Sequence, residues 1–292
     1  QMNRVLYLTP GCFDKGGISR YSRYQIEALR EVAGSEQVRA LSLLGPGGGG
    51  FETPFEVTWH GSRPVATRLT RAAFAANAIW HVLTWRPNVI HCAHVNLTPL
   101  VTRLAALCGA VSVLNVYGLE LWSGLSPSRR AAMAKMGHVV SDCHATADHV
   151  IADRLHPRTP TVVWDCADLE RFRPGPPAPH LASRYGLPDL DRYKIVLTLG
   201  RLTASARHKG YDRLLEIFGD VRLRVPSAHL VFAGGGDDAA RLSAKAASLG
   251  LSGSVTFTGP IEEEDLAAIY RVAYVFALVS DKGPGRGEGI PL

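Results

Sequence analysis

The sequence predicts an α/β protein of two lobes, each built on a parallel sheet. Three observations predict it. Short β-branched runs alternate with segments of helical period along the whole chain. The alternation breaks once, at the proline-rich stretch Arg173-Pro-Gly-Pro-Pro-Ala-Pro-His180, and then restarts. At 292 residues the chain is long enough for two cores of ordinary domain size.

The elements follow in order. Arg4–Leu8 is an apolar run closed by Thr9-Pro10-Gly11. Ile18, Tyr21, Ile26, Leu29 and Val32 then recur at helical spacing, with Arg20, Arg23, Glu27 and Arg30 on other faces. Val38–Leu44 reads as a second strand, ended by a glycine loop, and Phe55–Trp59 as a third. A helix from about Val65 to Trp85 leads to strand Asn88–Cys92, and one around Thr98–Leu107 leads to strand Val111–Val116. A helix opened by Ser126-Pro127 feeds strand His138–Ser141, and Thr161–Trp164 is the last strand of the lobe. So many prolines at 173–180 suit neither a helix interior nor a central strand, so the linker is placed there. Beyond it come strand Lys194–Leu199, helix Gly210–Arg224, strand His229–Ala233, helix Asp238–Leu249, strand Ser254–Phe257, helix Glu263–Arg271 and strand Tyr274–Val279. The expected division is a first lobe over 1–172, a hinge over 173–193 and a second lobe over 194–292. Ligands of such sheets bind beyond the carboxyl ends of the strands, so a cleft between the lobes is the expected site.

The formal charge of +6 favours anionic partners: a nucleotide diphosphate, an anionic membrane face or nucleic acid. Cys12, Cys92, Cys108, Cys143 and Cys166 are scattered and form no CxxC pair, which reads as reduced thiols of a cytoplasmic protein. No signal peptide opens the sequence, and no apolar run reaches the roughly 20 residues that span a bilayer. A soluble or peripheral protein is expected.

Gly16-Gly17 lies between the first strand and the first helix, where glycine lets the backbone approach a ligand and free N–H groups attract an anion. A plain tight turn would look the same. The pair is not GxGxxG, and the second strand ends in Leu43-Leu44-Gly45-Pro46 with no acid for a ribose, which argues against NAD. In the second lobe Gly200-Arg201-Leu202 ends a strand and Lys209-Gly210-Tyr211-Asp212 begins a helix. A guanidinium and an ammonium so placed suit a diphosphate leaving group, unless they belong to a solvated loop with Arg207 and His208. His91 and His94 stand at a strand end, where packed histidines are commoner than ligands. Asp142 and Asp148 flank the helix after the sixth strand, and Glu262-Glu263-Glu264 complements a helix dipole. Glu120 suits a sugar hydroxyl or a local structural role equally.

Thr198-Leu-Gly-Arg-Leu202 with Lys209-Gly-Tyr-Asp212, Leu230-Val-Phe-Ala-Gly-Gly-Gly236, Val255-Thr-Phe-Thr-Gly259 and Gly287-Glu-Gly-Ile-Pro-Leu292 resemble, in that order, the donor lobe of family 4 glycosyltransferases. Gly16-Gly17, Tyr117-Gly118-Leu119-Glu120 and Asp168-Leu-Glu-Arg-Phe172 agree in the first lobe. The resemblance implies the GT-B fold, two Rossmann-like lobes facing across a cleft, with the second lobe incomplete. It implies a retaining hexosyl transfer from a UDP- or GDP-linked sugar, with no metal or cofactor, to a saccharide or lipid-linked acceptor in cell-surface polysaccharide or glycolipid synthesis. Arg201 and Lys209 would hold the pyrophosphate, with Gly16 and Gly17 closing over it. Glu288 and the backbone of Gly289 and Ile290 would grip the sugar, Pro260 and Ile261 would read the base, and Tyr117, Gly118 and His94 would meet sugar or acceptor. The expected location is the cytoplasm or the inner face of the membrane.

The sequence departs from the pattern in three places. Tyr117 stands where the family often has histidine, the hinge approach reads Trp164-Asp-Cys-Ala-Asp168 rather than Pro-Asn-Gly-Val-Asp, and the partner glutamate expected after Glu288 falls beyond Leu292. A longer protein is therefore expected. A nucleotide-sugar epimerase of the same fold and a non-catalytic two-lobe anion binder are the alternatives.

Overall fold

The computed structural model describes residues 4–14, 16–46, 53–62 and 66–281. They form two compact units that divide between Cys166 and Ala167.

The first unit runs β1 (Val5–Gly11), α1 (Gly17–Ala33), β2 (Val38–Leu44), β3 (Val57–Trp59), α2 (Arg68–Trp85), β4 (Val89–Cys92), α3 (Thr98–Cys108), β5 (Val111–Val116), α4 (Leu119–Trp122), α5 (Pro127–Met133), β6 (His138–Ser141), α6 (His144–Ala152) and β7 (Thr161–Val162). Its strands are ordered β3-β2-β1-β4-β5-β6-β7, and every pairing is parallel. β1 is apolar on both faces because helices cover both sides of the sheet. Leu6 and Leu8 join Phe74 and Val82 of α2 in one core, while Val5 and Tyr7 join Ile26 of α1 in another. The order reverses between β1 and β4, and the loops that follow these two strands part there, as at a topological switch point.

The second unit runs α7 (His180–Tyr185), β8 (Lys194–Leu199), α8 (Tyr211–Arg224), β9 (Ala228–Ala233), α9 (Ala239–Ser248), β10 (Val255–Phe257), α10 (Leu266–Arg271) and β11 (Val275–Phe276), with strands ordered β10-β9-β8-β11, again all parallel. β9 is buried along its whole length, and Phe232 stacks on Phe257 with ring centroids 4.9 Å apart.

Several expectations need correction. The stretch expected as a hinge, 173–193, packs into the second unit: Leu181 and Tyr185 of α7 share a core with Leu266 and Ile269 of α10. Asp265, buried under this joint, accepts hydrogen bonds from Tyr185 Oη at 2.7 Å and His180 Nε2 at 3.1 Å and pairs with Arg184 at 3.0 Å. Periodicity does not reveal α4 or α7, which are only four and six residues long. In α1 Val32 is exposed and Arg20 buried, the reverse of the pattern expected. Asp148 lies inside α6, exposed, rather than at its flank. Glu263 is largely covered and pairs with Arg171 at 2.8 Å, whereas Glu264 stays on a solvated face, 72% exposed, and pairs with Arg184 at 3.0 Å.

The loops beyond β8, β9 and β10 are fastened backbone to backbone. Leu202 N–H donates to Gly235 O, Gly234 N–H to Gly259 O and Asp238 N–H to Leu202 O, at 3.0, 3.0 and 2.9 Å. Gly234 has φ +131°, and a Cβ there would stand 2.0 Å from Gly200 O. Gly234→Ala should therefore cost about 1–3 kcal/mol of stability. Gly219→Ala, within α8 and with nothing within 4 Å of its added methyl, should instead gain about 0.5–1 kcal/mol. Denaturant unfolding of the two variants checks the pair: equal effects would contradict this account of the loops.

Candidate functional site

All strands of a unit point the same way, so every strand-end loop of that unit lies on one edge of its sheet. Each edge carries a distinct set of groups.

In the first unit, the loop between β1 and α1 is held from below. Ser19 Oγ lies 3.0 Å from Gly11 O and 2.8 Å from Asp14 Oδ2, and Arg23 Nη1 donates to Cys12 O at 2.6 Å. α1 then opens at Gly16, which is extended (φ −74°, ψ 151°), with no side-chain cap and no acid in the first turn. A methyl at Gly16 would meet nothing within 4 Å. A crowded turn does not explain this glycine. Open space before the first-turn amides, beginning at Gly17, is the arrangement an anion requires.

His91 is a core residue. It stacks on Tyr7 at 4.8 Å, its Nε2 lies 3.1 Å from Asn115 Oδ1, and burial pushes its pKa down to about 4. His94 follows β4. Its Nδ1 accepts the Asn96 N–H at 3.2 Å, and burial, with Arg129 nearby, lowers its pKa to about 4. The neutral ring therefore presents Nε2 as an N–H donor, suited to a ligand hydroxyl and not to charge.

Glu120 is drawn back to its own chain. Its Oε1 accepts the Tyr117 N–H at 2.6 Å, and burial raises its pKa while backbone donors and Asp142 modulate it. Gly118 has φ +106°, and a Cβ there would enter the Trp122 ring at 2.6 Å, so this glycine serves the turn into α4. Tyr117 packs edge-on to Tyr21 at 6.1 Å. Its hydroxyl is buried and has no hydrogen-bond partner among the described residues.

Among the other buried atoms in that condition are Asn115 Nδ2, Asp142 Oδ1 and Asp165 Oδ1. All follow or end β5, β6 or β7 on the same edge. Unsatisfied buried polar atoms are costly, and gathering them at one sheet edge provides both donors and acceptors for a ligand's hydroxyls. Asp165 is pushed up to about 7 by burial and by the neighbouring Asp142 carboxyl, and burial raises Tyr21 to about 12. Asp165 and Asn115 escape sequence reasoning. The strand-end rule applied to His91 could have found Asp165, had 164–168 not been read only as the approach to the hinge.

In the second unit, Gly200 ends the ladder of β8 and Arg201 follows it. Arg201 is exposed and makes no ion pair or hydrogen bond among the described residues. Its basic neighbour Arg207 instead pairs with Asp238 at 3.0 Å. Arg241 and Lys245 pair with Asp212, each at 2.8 Å. These ties hold Asp238 down to about 2 and Asp212 below the usual carboxylate range. The Lys209 stem lies against β8's end, its Cδ 3.6 Å from where a Cβ of Gly200 would stand. Gly210 beside it has φ +79° and is pressed on Val279 O, so the chain must bend there on glycine. Pro260 and Ile261 follow β10 and the Gly234–Gly259 bridge on this same edge. Arg201, Lys209, Pro260 and Ile261 thus share one edge of the second unit. Gly16, Gly17, His94 and Tyr117 share one edge of the first. Glu288, Gly289 and Ile290 lie outside the described residues.

Two parallel α/β units with strand-end anion groups are the architecture of the GT-B glycosyltransferases, and solved structures agree. The chain superposes on Anabaena HepE in complex with UDP and glucose with a TM-score of 0.71 at 14% identity, covering 95% of this chain and 74% of that one. Sucrose-phosphate synthase of Thermosynechococcus elongatus gives 0.71 at 19% identity, over 96% and 76%. Residues 186–292 match the family described as glycosyl transferases group 1. A GDP-mannose-dependent alpha-(1-6)-phosphatidylinositol monomannoside mannosyltransferase of Mycolicibacterium smegmatis is 38% identical over 185 residues, 61% of this chain and 47% of that protein. A mannosylfructose-phosphate synthase of Agrobacterium fabrum is 40% identical over 99 residues, 31% of this chain and 21% of that protein. The fold is that of the GT-B glycosyltransferases, residues 186–292 match glycosyl transferases group 1, and the chain spans less than half the length of these curated relatives.

Asp165 makes stability pH-dependent in a stated direction. Its folded pKa of about 7 lies above the ordinary 3.8, so folding favours the protonated form. That preference is fully present below the ordinary carboxyl range and is lost as pH rises through about 7. Asp165→Asn should therefore melt above the wild type at pH 8 and level with it at pH 4. A gap that stays constant across melting curves at both pH values would contradict the assignment.

Proposed function

We propose that the chain moves a hexosyl group, with retention, from a UDP- or GDP-linked sugar to a saccharide or lipid-linked acceptor in cell-surface polysaccharide or glycolipid synthesis. Arg201 carries the reading. An exposed guanidinium with no partner among the described residues, while Arg207 nearby is tied to Asp238, is a charge held for a ligand. With the Lys209 ammonium on the same edge, it suits the two phosphates of a departing nucleotide. The C1–O bond to the β-phosphate breaks, the acceptor oxygen bonds C1, and the acceptor's proton passes to the leaving phosphate. The guanidinium and ammonium stabilise the charge that collects on that phosphate.

On the first unit's edge, the open amides at Gly16 and Gly17 suit an anion. The His94 Nε2 donor, the Tyr117 hydroxyl and the Asp142 and Asp165 oxygens suit hydroxyls of sugar or acceptor. Glu288, with the backbone of Gly289 and Ile290, is assigned to the donor sugar, and Pro260 and Ile261 to the base. Two cations at one strand end can do the charge work of a divalent ion, so the transfer is assigned without metal. The GDP-mannose dependence of the mycolicibacterial relative makes that donor the first to try, and the UDP bound by the Anabaena protein the second.

The test is turnover of labelled GDP-mannose and UDP-glucose, with the product's anomeric configuration read by NMR. Labelled sugar should pass to the acceptor with its configuration kept, and EDTA should leave the rate unchanged. Glu288→Gln should cut transfer by about two orders of magnitude or more. Release of a 2-epimer would make the protein an epimerase, and a metal requirement would remove the charge argument.

A further inference from the structure

We propose that the cavity between Arg30 and Arg39, at the edge of the first unit's sheet where its strands begin, binds a small metabolite carrying two anionic groups, of the sugar bisphosphate class. β3 starts late against β2: its pairing begins at Ala40, so Val38 and Arg39 stand beyond its end. The space left open there is a cavity of about 650 Å³, large enough for a small molecule. It is lined by the start of β2, by Arg30 in the last turn of α1 and by His81 near the end of α2. The loops carrying Gly16, His94 and Asp165 lie where strands end, so the cavity is separate from the edge assigned to sugar transfer.

The two arginines are positioned but not neutralised. Arg39 donates from Nη1 to His81 Nδ1 at 3.0 Å and lies over the Trp85 ring, 4.5 Å from its centroid. Arg30 donates from Nη1 to Ser35 O at 3.3 Å and lies over the Phe55 ring at 5.9 Å. Each of these partners is uncharged, and both side chains are half-buried. Among the described residues neither arginine pairs with a carboxylate, although Glu36 and Glu56 line the same cavity. A guanidinium partly withdrawn from water and held by neutral groups keeps its charge available for an anion. His81 adds a third donor. A guanidinium only donates, so Nδ1 of the ring is the acceptor and its proton sits on Nε2. Burial, with Arg39 and His60 beside it, lowers the pKa of His81 and favours that neutral form. His81 is 9% exposed, and its Nε2–H has no hydrogen-bond partner among the described residues.

The placement of the cations sets the shape of the ligand. Phe55 belongs to the core under α1 and Trp85 packs on the core under α2, so the two guanidinium groups flank β2 from opposite faces. A single phosphate set against one of them leaves the other unmatched, whereas two phosphates on a short carbon frame meet both. Glu36 and Glu56 are exposed and set like charge against an extended polyanion such as nucleic acid or a bilayer surface. A compact bisphosphate avoids that repulsion.

Calorimetric titration of the full chain with fructose 1,6-bisphosphate and with fructose 6-phosphate tests the site. The bisphosphate should bind at least about tenfold more tightly, and Arg30→Gln and Arg39→Gln should each weaken it about tenfold or more. Arg201→Ala, in the other unit, should leave bisphosphate affinity unchanged, which separates this site from the donor-site reading. In the wild type, the NMR resonances of the His81 ring should shift as the bisphosphate is added, a readout that needs no variant. Absence of bisphosphate binding by the wild type would overturn the proposal. So would His81 resonances that stay in place, or binding that Arg201→Ala abolishes and Arg39→Gln keeps.

Discussion

Close approach of backbones beyond β8, β9 and β10 is the constraint on which the second unit's site depends. Gly234 and Gly236 pass so near Gly200 O and Leu202 O that any Cβ would stand 2.0–2.2 Å from an oxygen. Their conformations, φ +131° and +157°, are ones L side chains rarely adopt. The reward is a strand-end platform without side chains between its layers, tied by main-chain hydrogen bonds. Arg201 leaves that platform from a fixed point. A ligand group held there meets a positioned charge rather than a mobile one.

The electrostatics divide the basic residues by role. Arg207, Arg241 and Lys245 are spent on Asp238, Asp212 and Glu216, forming one network that locks α8 to α9. Much of it is exposed, so screening leaves it modest in stability. Its consequence is structural: it fixes the helix that Gly210 starts, and with it Lys209. In the first unit the polarity is reversed. There the edge gathers carboxyl and hydroxyl oxygens with unmet bonds, which suits a neutral polyhydroxyl group better than a phosphate, while anion capacity is confined to the open amides at Gly16 and Gly17.

Much of this was legible in the residues. Strand positions Val111–Val116, His138–Ser141 and Lys194–Leu199 coincide with the structure because buried parallel strands are continuously apolar and bounded by turn residues. The Arg201 and Lys209 placement was legible as well, since a strand end and the next helix start are fixed once the alternation is read. The α7 joint was not. Its helix hides behind four prolines, and what ties it down is Asp265, 80 residues from Tyr185. Asp165 was missed for a related reason, because its environment is made by Asp142 and burial, neither visible along the chain. Which side of α2 meets the core was not legible either, since periodicity cannot say which of two apolar sides is buried.

Calorimetric titration of a nucleoside diphosphate and the matching monophosphate, with guanosine and uridine as bases, tests the central claim most directly. The account predicts that a diphosphate binds at least about tenfold more tightly than its monophosphate, and that Arg201→Ala removes most of that difference. Equal affinity for the two, or a diphosphate preference unchanged in Arg201→Ala, would contradict it.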